Sequence, residues 1–166
     1  MSEHARSWQG PSAQRRLQIL QGAKSIAIVG ASDKSERASY FVSTYLLSST
    51  DFEVHFVNPV LAGRKQILGR EVLPSLAALR ESGVTPDIVD VFRKHDDLPT
   101  VLQESIDVGA GTIWLQLGLW HEGVAAGAEK AGMAVVMDRC LKIEHARFHG
   151  GLHLAGFDTG VIDSRR

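Results

Sequence analysis

The run Ser25-Ile26-Ala27-Ile28-Val29-Gly30-Ala31-Ser32-Asp33-Lys34 decides how the chain reads. Its first five residues are nearly all apolar and rich in β-branched side chains. They stop at a glycine, and polar residues follow. A strand that is wet on one face alternates apolar and polar side chains, whereas a strand covered on both faces does not. Residues 25–29 are therefore expected to form an interior strand of a parallel sheet. The same pattern recurs at 54–57, ending in Asn58-Pro59, and at 87–92, ending in Arg93. It returns at 112–116, just before Gly118, and at 134–137, ending in Asp138. Helical stretches separate these segments. Tyr40, Val42, Tyr45, Leu46 and Leu47 mark one, and 76–79 form a short one after Pro74-Ser75. Leu98, Val101, Leu102, Ile106 and Val108 mark the next, with Asp96-Asp97 favouring its N-terminal end. Val124, Ala125, Ala128 and Ala131 mark another, closed by Gly132 at C′. A further helix is expected at 11–21, with Pro11 as its first residue and Gly22 as its stop. This alternation specifies an α/β fold: one doubly wound domain, a mostly parallel sheet of five strands with helices on both faces.

Composition sets the bounds on class. The chain has 166 residues, 44% hydrophobic and 22% charged, as expected of one globular domain with its own core. Eighteen basic and nineteen acidic residues give a net charge of −1, which argues against a general nucleic-acid binder. No apolar run approaches the ~20 residues of a membrane span. The single cysteine, Cys140, leaves no intramolecular disulfide, and 1–9 lack a signal-peptide core, so a cytoplasmic protein is expected. Three parts are expected: a leader and short helix over 1–23, a body over 24–147 and a tail over 148–166. The apolar residues of that tail, with Phe148, leave room for a homo-oligomer.

Open parallel sheets bind ligands beyond the carboxyl ends of their strands, so the residues after each strand carry the functional signal. After the first come Gly30, Ala31, Ser32, Asp33 and Lys34, then Arg37 at the head of a helix. A glycine turn with backbone N–H groups, the Ser32 hydroxyl and a helix N-terminus suits an anion, with Lys34 and Arg37 adding charge. The full G-x-G-x-x-G fingerprint is absent, and an ordinary strand-to-helix turn would look similar. After the second strand stand Asn58-Pro59, where NAD-binding sheets place a carboxylate on the ribose hydroxyl. With Arg64 and Lys65 following, that exchange suits a ligand carrying an extra ribose phosphate, and NADP and coenzyme A both qualify. Phe92 and Arg93 can line the same crevice, or serve as core and surface ion-pair partner. Gln116 and Gly118 add one amide and backbone groups.

These blocks resemble the small stand-alone CoA-binding proteins. The likeness runs over residues 24–147 through Val29-Gly30-Ala31-Ser32-Asp33-Lys34, Glu36-Arg37, Tyr40, Val57-Asn58-Pro59, Ile67-Leu68-Gly69 and Asp90-Val91-Phe92-Arg93. It continues through Trp114-Leu115-Gln116-Leu117-Gly118 and 136–145. The family's sheet is of the Rossmann type and is similar to the CoA-binding domain of succinyl-CoA synthetase α chains. The resemblance implies coenzyme A or an acyl-CoA as the ligand, with its phosphates on 30–34 and Arg37. Asn58-Pro59 and the next loop would flank the nucleotide, and Phe92-Arg93 would line its groove. Many members have proline where this chain has Ser35. The synthetase carries its phosphorylated histidine in a second domain that is not expected within these 166 residues, so ligase activity is not expected to carry over.

No general acid–base or nucleophilic constellation stands at the crevice, so no catalytic residue is assigned. A binding role as carrier, sensor or regulator is expected. An NADP-dependent oxidoreductase and a ligase subunit needing a partner chain are the alternatives. In Asp138-Arg139-Cys140 and Glu144, the preferred reading is structural: Asp138 capping a last helix and Arg139 pairing with Glu144. The sharper one is a mixed disulfide between Cys140 and CoA, which needs an accessible, thiolate-favouring setting. His145, His149 and His153 are four apart, but Gly150-Gly151 interrupts them and no metal site is assigned.

Overall fold

The computed structural model describes residues 6–149. Among these residues six parallel strands form one sheet: β1 (Ser25–Val29), β2 (Glu53–Val57), β3 (Val72–Leu73), β4 (Ile88–Val91), β5 (Thr112–Leu115) and β6 (Ala134–Val136). Their order is β3-β2-β1-β4-β5-β6, that of doubly wound dinucleotide-binding sheets. The expected strands are all present, with ends shifted by a residue or so. The sixth, β3, has only two residues, too few for any periodicity, and it pairs Phe56 with Val72 and Val57 with Leu73 at the edge.

Among the described residues six helices cover the sheet: α1 (Ala13–Gly22), α2 (Ala38–Ser49), α3 (Leu76–Glu81), α4 (Leu98–Val108), α5 (Glu122–Lys130) and α6 (Leu141–His149). Strand side chains alternate between two cores. Ala27 and Val29 join the core under α3, α4 and α5, whereas Ile26 and Ile28 join the core under α1, α2 and α6. Every residue of β1, β4 and β5 is buried, which is why these strands read as unbroken apolar runs. Local signals set the helix ends. Ser12 caps α1 by accepting from Arg15 N at 3.1 Å, so Pro11 sits one residue before the cap rather than opening the helix. Gly109 ends α4 in the left-handed conformation. His95–Asp97 form a 3-10 turn leading into α4.

Two long-range ties position the functional end. Arg16 of α1 meets Glu144 of α6 at 2.9 Å in a pair buried from solvent, and Arg139 reaches the same carboxylate at 3.1 Å. The leader also lies down: Arg6 pairs with Asp138 at 2.8 Å and stacks over Trp120, and Trp8 Nε1 donates to Glu129 at 2.6 Å. Among the described residues no helix is long and apolar enough to cross a membrane. Residues 150–166, with Gly150-Gly151, His153 and the apolar tail, lie outside those described.

Candidate functional site

At the carboxyl ends of β1, β2, β4 and β5 the loops part to leave a cleft of about 870 Å³, a size typical of small-molecule sites. Gly30 makes its floor possible. Its φ is +84°, and a Cβ there would lie 2.3 Å from the Phe92 carbonyl oxygen, so the loops after β1 and β4 approach only across a glycine. The N–H groups here are largely committed to the protein's own oxygens, contrary to the expectation that they face an anion. Gly30 N and Ala31 N donate to Val57 O at 3.1 and 3.3 Å, Ser32 N to Ser39 Oγ at 3.1 Å, and Lys34 N to Ser32 Oγ at 3.1 Å. These bonds hold the shape of the loop. The opening for an anion lies one turn on: Arg37, at the N-cap of α2, makes no side-chain capping bond, and Ala38 and Ser39 line the cleft.

Charge follows the same plan. Lys34, Arg37, Arg93 and Lys142 line the cleft against one carboxylate, Asp33. Lys34 and Arg37 have no acidic partner among the described residues. Arg93 Nη2 pairs with Asp97 at 3.0 Å, the ion pair that one reading expected, while remaining on the lining. Phe92 both lines the cleft and packs against the core under α6.

Asn58 has a structural task. Its Nδ2 donates to Ala31 O at 2.8 Å, and its Oδ1 accepts from Val60 N at 2.8 Å and Leu61 N at 3.2 Å. Where a NAD site would hold a carboxylate, this amide ties the first two loops together. Pro59, Arg64, Lys65 and Gly118 fall outside the lining. The tight turn over 58–65, with Arg64 N and Lys65 N bonded to Leu61 O, leaves both basic side chains exposed. Lys65 meets Asp33, a lining residue, at 3.4 Å. Gly118 N is held by Asp138 Oδ1 at 2.7 Å.

That bond overturns the expected capping role of Asp138. The residue adopts φ +58°, and its carboxylate accepts from Gly118 and from Arg6 instead of from the helix that follows. The expected Arg139–Glu144 pair is present, with Arg16 as a second cation. Cys140 lies on the cleft lining, but burial pushes its thiol up, with the Asp90 charge adding to the effect. That is the reverse of the thiolate-favouring setting a mixed disulfide needs. His145 Nδ1 and the Tyr45 hydroxyl are 2.8 Å apart, and the ring packs edge-on against Tyr45 and Phe52. Among the described residues no three His, Cys, Asp or Glu are grouped to hold a metal ion.

Two features escape a reading of motifs. Among the described residues the large hydrophobics left exposed are Phe41, Val60 and Leu117, and all three line this cleft. Phe41 stands off the buried stripe of Ser39, Val42 and Leu46 on α2, a signal present in the sequence, and Lys142 Nζ sits 3.5 Å over its ring. The second is Asp90 of β4. It is fully buried, its Oδ1 accepts from Gln116 Nε2, and its Oδ2 has no partner among the described residues. Burial pushes its carboxyl up to about 8, with the Gln116 bond pulling the other way.

Comparison with known proteins agrees with this geometry. A family described as CoA binding domain matches residues 24–146. The uncharacterized protein YneT of Bacillus subtilis (strain 168) is 36% identical over 138 residues, covering 83% of this chain and 97% of that one. A Thermus thermophilus structure, cell-free ID.343, is 35% identical with a TM-score of 0.75, over 82% of this chain and 98% of its own. A hypothetical protein from Pyrococcus horikoshii OT3 is 32% identical with a TM-score of 0.75, over 90% of this chain and 100% of its own.

Proposed function

The chain belongs to the CoA-binding domain family, and from that premise we propose that the cleft binds coenzyme A, free or acylated, by its phosphorylated adenosine end. The observation that carries this reading is the pairing of Lys34 and Arg37, both without acidic partners among the described residues, with the uncapped start of α2 at the cleft. An anionic group set there meets two cations and the positive end of a twelve-residue helix. Arg93 and Lys142 extend the positive lining, so a ligand with several phosphates fits better than one with a single charge. Asn58 leaves no carboxylate to repel a ribose phosphate. Phe92 offers a flat apolar surface beside the phosphates, suited to adenine or to the pantetheine arm.

The role proposed is binding: a carrier, a sensor or a regulator. Isothermal titration with CoA, 3′-dephospho-CoA, NAD and NADP tests the assignment. CoA is expected to bind tightest, and loss of the 3′-phosphate to cost about 1–3 kcal/mol, the scale of charge-assisted hydrogen bonds. Arg37→Ala is expected to weaken CoA binding with the fold intact. Equal affinity for CoA and its dephosphorylated form would remove the phosphate assignment, and tighter binding of NADP would favour an oxidoreductase.

A further inference from the structure

Asp90 has no part in the phosphate site, yet it lies directly behind it. It occupies the third position of β4, between Ile28 of β1 and Trp114 of β5 in register. A carboxyl wholly removed from water, with one oxygen unpartnered, is unfavourable for stability alone. Its one hydrogen-bond partner, Gln116, is 6% exposed and lines the cleft. The bond fixes which way that amide faces. With Nε2 turned inward to Asp90 Oδ1, Gln116 Oε1 has no donor among the described residues and is left for the cleft.

We propose that Asp90 is a positioning residue: from behind the cleft floor it locks the Gln116 amide so that its carbonyl oxygen meets a hydrogen-bond donor of the ligand. The inference rests on the CoA reading, and it names what this part of the cleft selects. CoA carries amide N–H groups along its pantetheine arm, and a terminal S–H when it is free. A thioester carbonyl offers only lone pairs and would find another acceptor here. Gln116 therefore reads the pantetheine arm, while Lys34 and Arg37 hold the other end.

The arrangement also has a sign with respect to pH. With its proton, Asp90 holds the amide and adds no charge; without it, a buried negative charge stands behind a site for a polyanion. The other titratable or charged groups packed on this side of the sheet are Arg139 and Cys140 just before α6, Lys142, Glu144 and His145 of α6, Tyr40 and Tyr45 of α2, and Arg16 of α1. Glu144 is already tied to Arg16 and Arg139. Cys140 is the one whose titration Asp90 directly affects.

The test compares wild type, Asp90→Asn, Asp90→Val, Gln116→Ala and the Asp90→Val/Gln116→Ala double variant, with Cys140→Ser as the control for the thiol. At pH 6.5, Asp90→Asn is expected to bind CoA within about threefold of wild type, since an asparagine oxygen still accepts from Gln116. Asp90→Val and Gln116→Ala are each expected to lose tenfold or more. The double variant should lose no more than either single change, because both remove one contact. Between pH 6.5 and 9, wild type and Cys140→Ser should lose affinity and Asp90→Asn should stay level. In the unliganded chain, the Gln116 side-chain amide proton signals should titrate far above the ordinary carboxylate range, and in Asp90→Asn they should not. This measurement decides the point even if Asp90→Val fails to fold. Additive losses in the double variant, or a Gln116 amide indifferent to pH, overturn the positioning role. A wild-type chain that does not bind CoA overturns the reading beneath it, a result distinct from wild-type binding that Asp90→Val leaves untouched.

Discussion

Replacing Gly30 with alanine should unfold the chain more readily than the same change at any open turn, and the structure gives the size. The left-handed φ of +84° costs a residue with a Cβ about 1–2 kcal/mol. The new methyl would also lie 2.3 Å from the Phe92 carbonyl oxygen and 2.9 Å from its carbon, which are backbone atoms unable to swing aside. Relieving such an overlap costs about 1–3 kcal/mol more, by the scale of overpacked cores. The total is about 2–5 kcal/mol, a large part of the ~5–15 kcal/mol that holds a domain together. Gly63 is the matched control: its φ is +74° and nothing lies within 4 Å of an added Cβ, so Gly63→Ala carries the conformational cost alone. Urea denaturation of both variants, with slopes compared, isolates the contribution of the Phe92 contact. Equal losses in the two, or a loss below about 1 kcal/mol at Gly30, would refute the idea that these loops meet only across a glycine.

Other perturbations have expected signs. Because the folded chain holds a proton on Asp90 that the unfolded chain releases near pH 4, stability should fall as pH rises from there to about 8. The contribution reaches about 1.4 kcal/mol per pH unit, and Asp90→Asn should remove it; matching pH profiles from denaturant melts would contradict the assignment. Glu144→Ala leaves Arg16 buried without a counter-charge and should cost about 3 kcal/mol, whereas Arg139→Ala, at 39% exposure, should cost under about 1 kcal/mol. Thermal melts that rank the two the other way would place the weight of the network on the exposed arginine. Lys65→Ala, by leaving Asp33 unanswered, should weaken CoA binding by about twofold to fivefold at low salt and hardly at all at 0.5 M, and a salt-independent loss would mean direct contact.

The sheet was legible because β1, β4 and β5 are buried on both faces and show it in uninterrupted apolar residues. β3 was not, since a two-residue pairing leaves no period to detect. The cleft-lining part of the site was legible where one residue type has one use: a glycine between strand and helix, a cation at a helix start. Residues whose bonds serve the protein itself were harder to read: Asn58 lines the cleft as well as bracing it, and Asp138 does not cap the helix after it. Asn58 and Asp138 carry the polar groups a ligand or a helix end would want, but both engage backbone atoms distant in sequence. Spacing cannot reveal such partners. Nor could the sequence separate Lys65 from Lys34, because which lysine faces the cleft depends on how the turn over 58–65 folds.

The tapering of the sheet has a consequence for self-association. Strand length falls from five residues in β1 to two in β3 at one margin and three in β6 at the other. A neighbouring molecule trying to continue the ladder would find only a short row of free amides and carbonyls at either margin, too little to template fibril-like stacking. Copies that associate would have to do so through helix surfaces or loops, and such pairs would compete with ligand only where they cover the cleft.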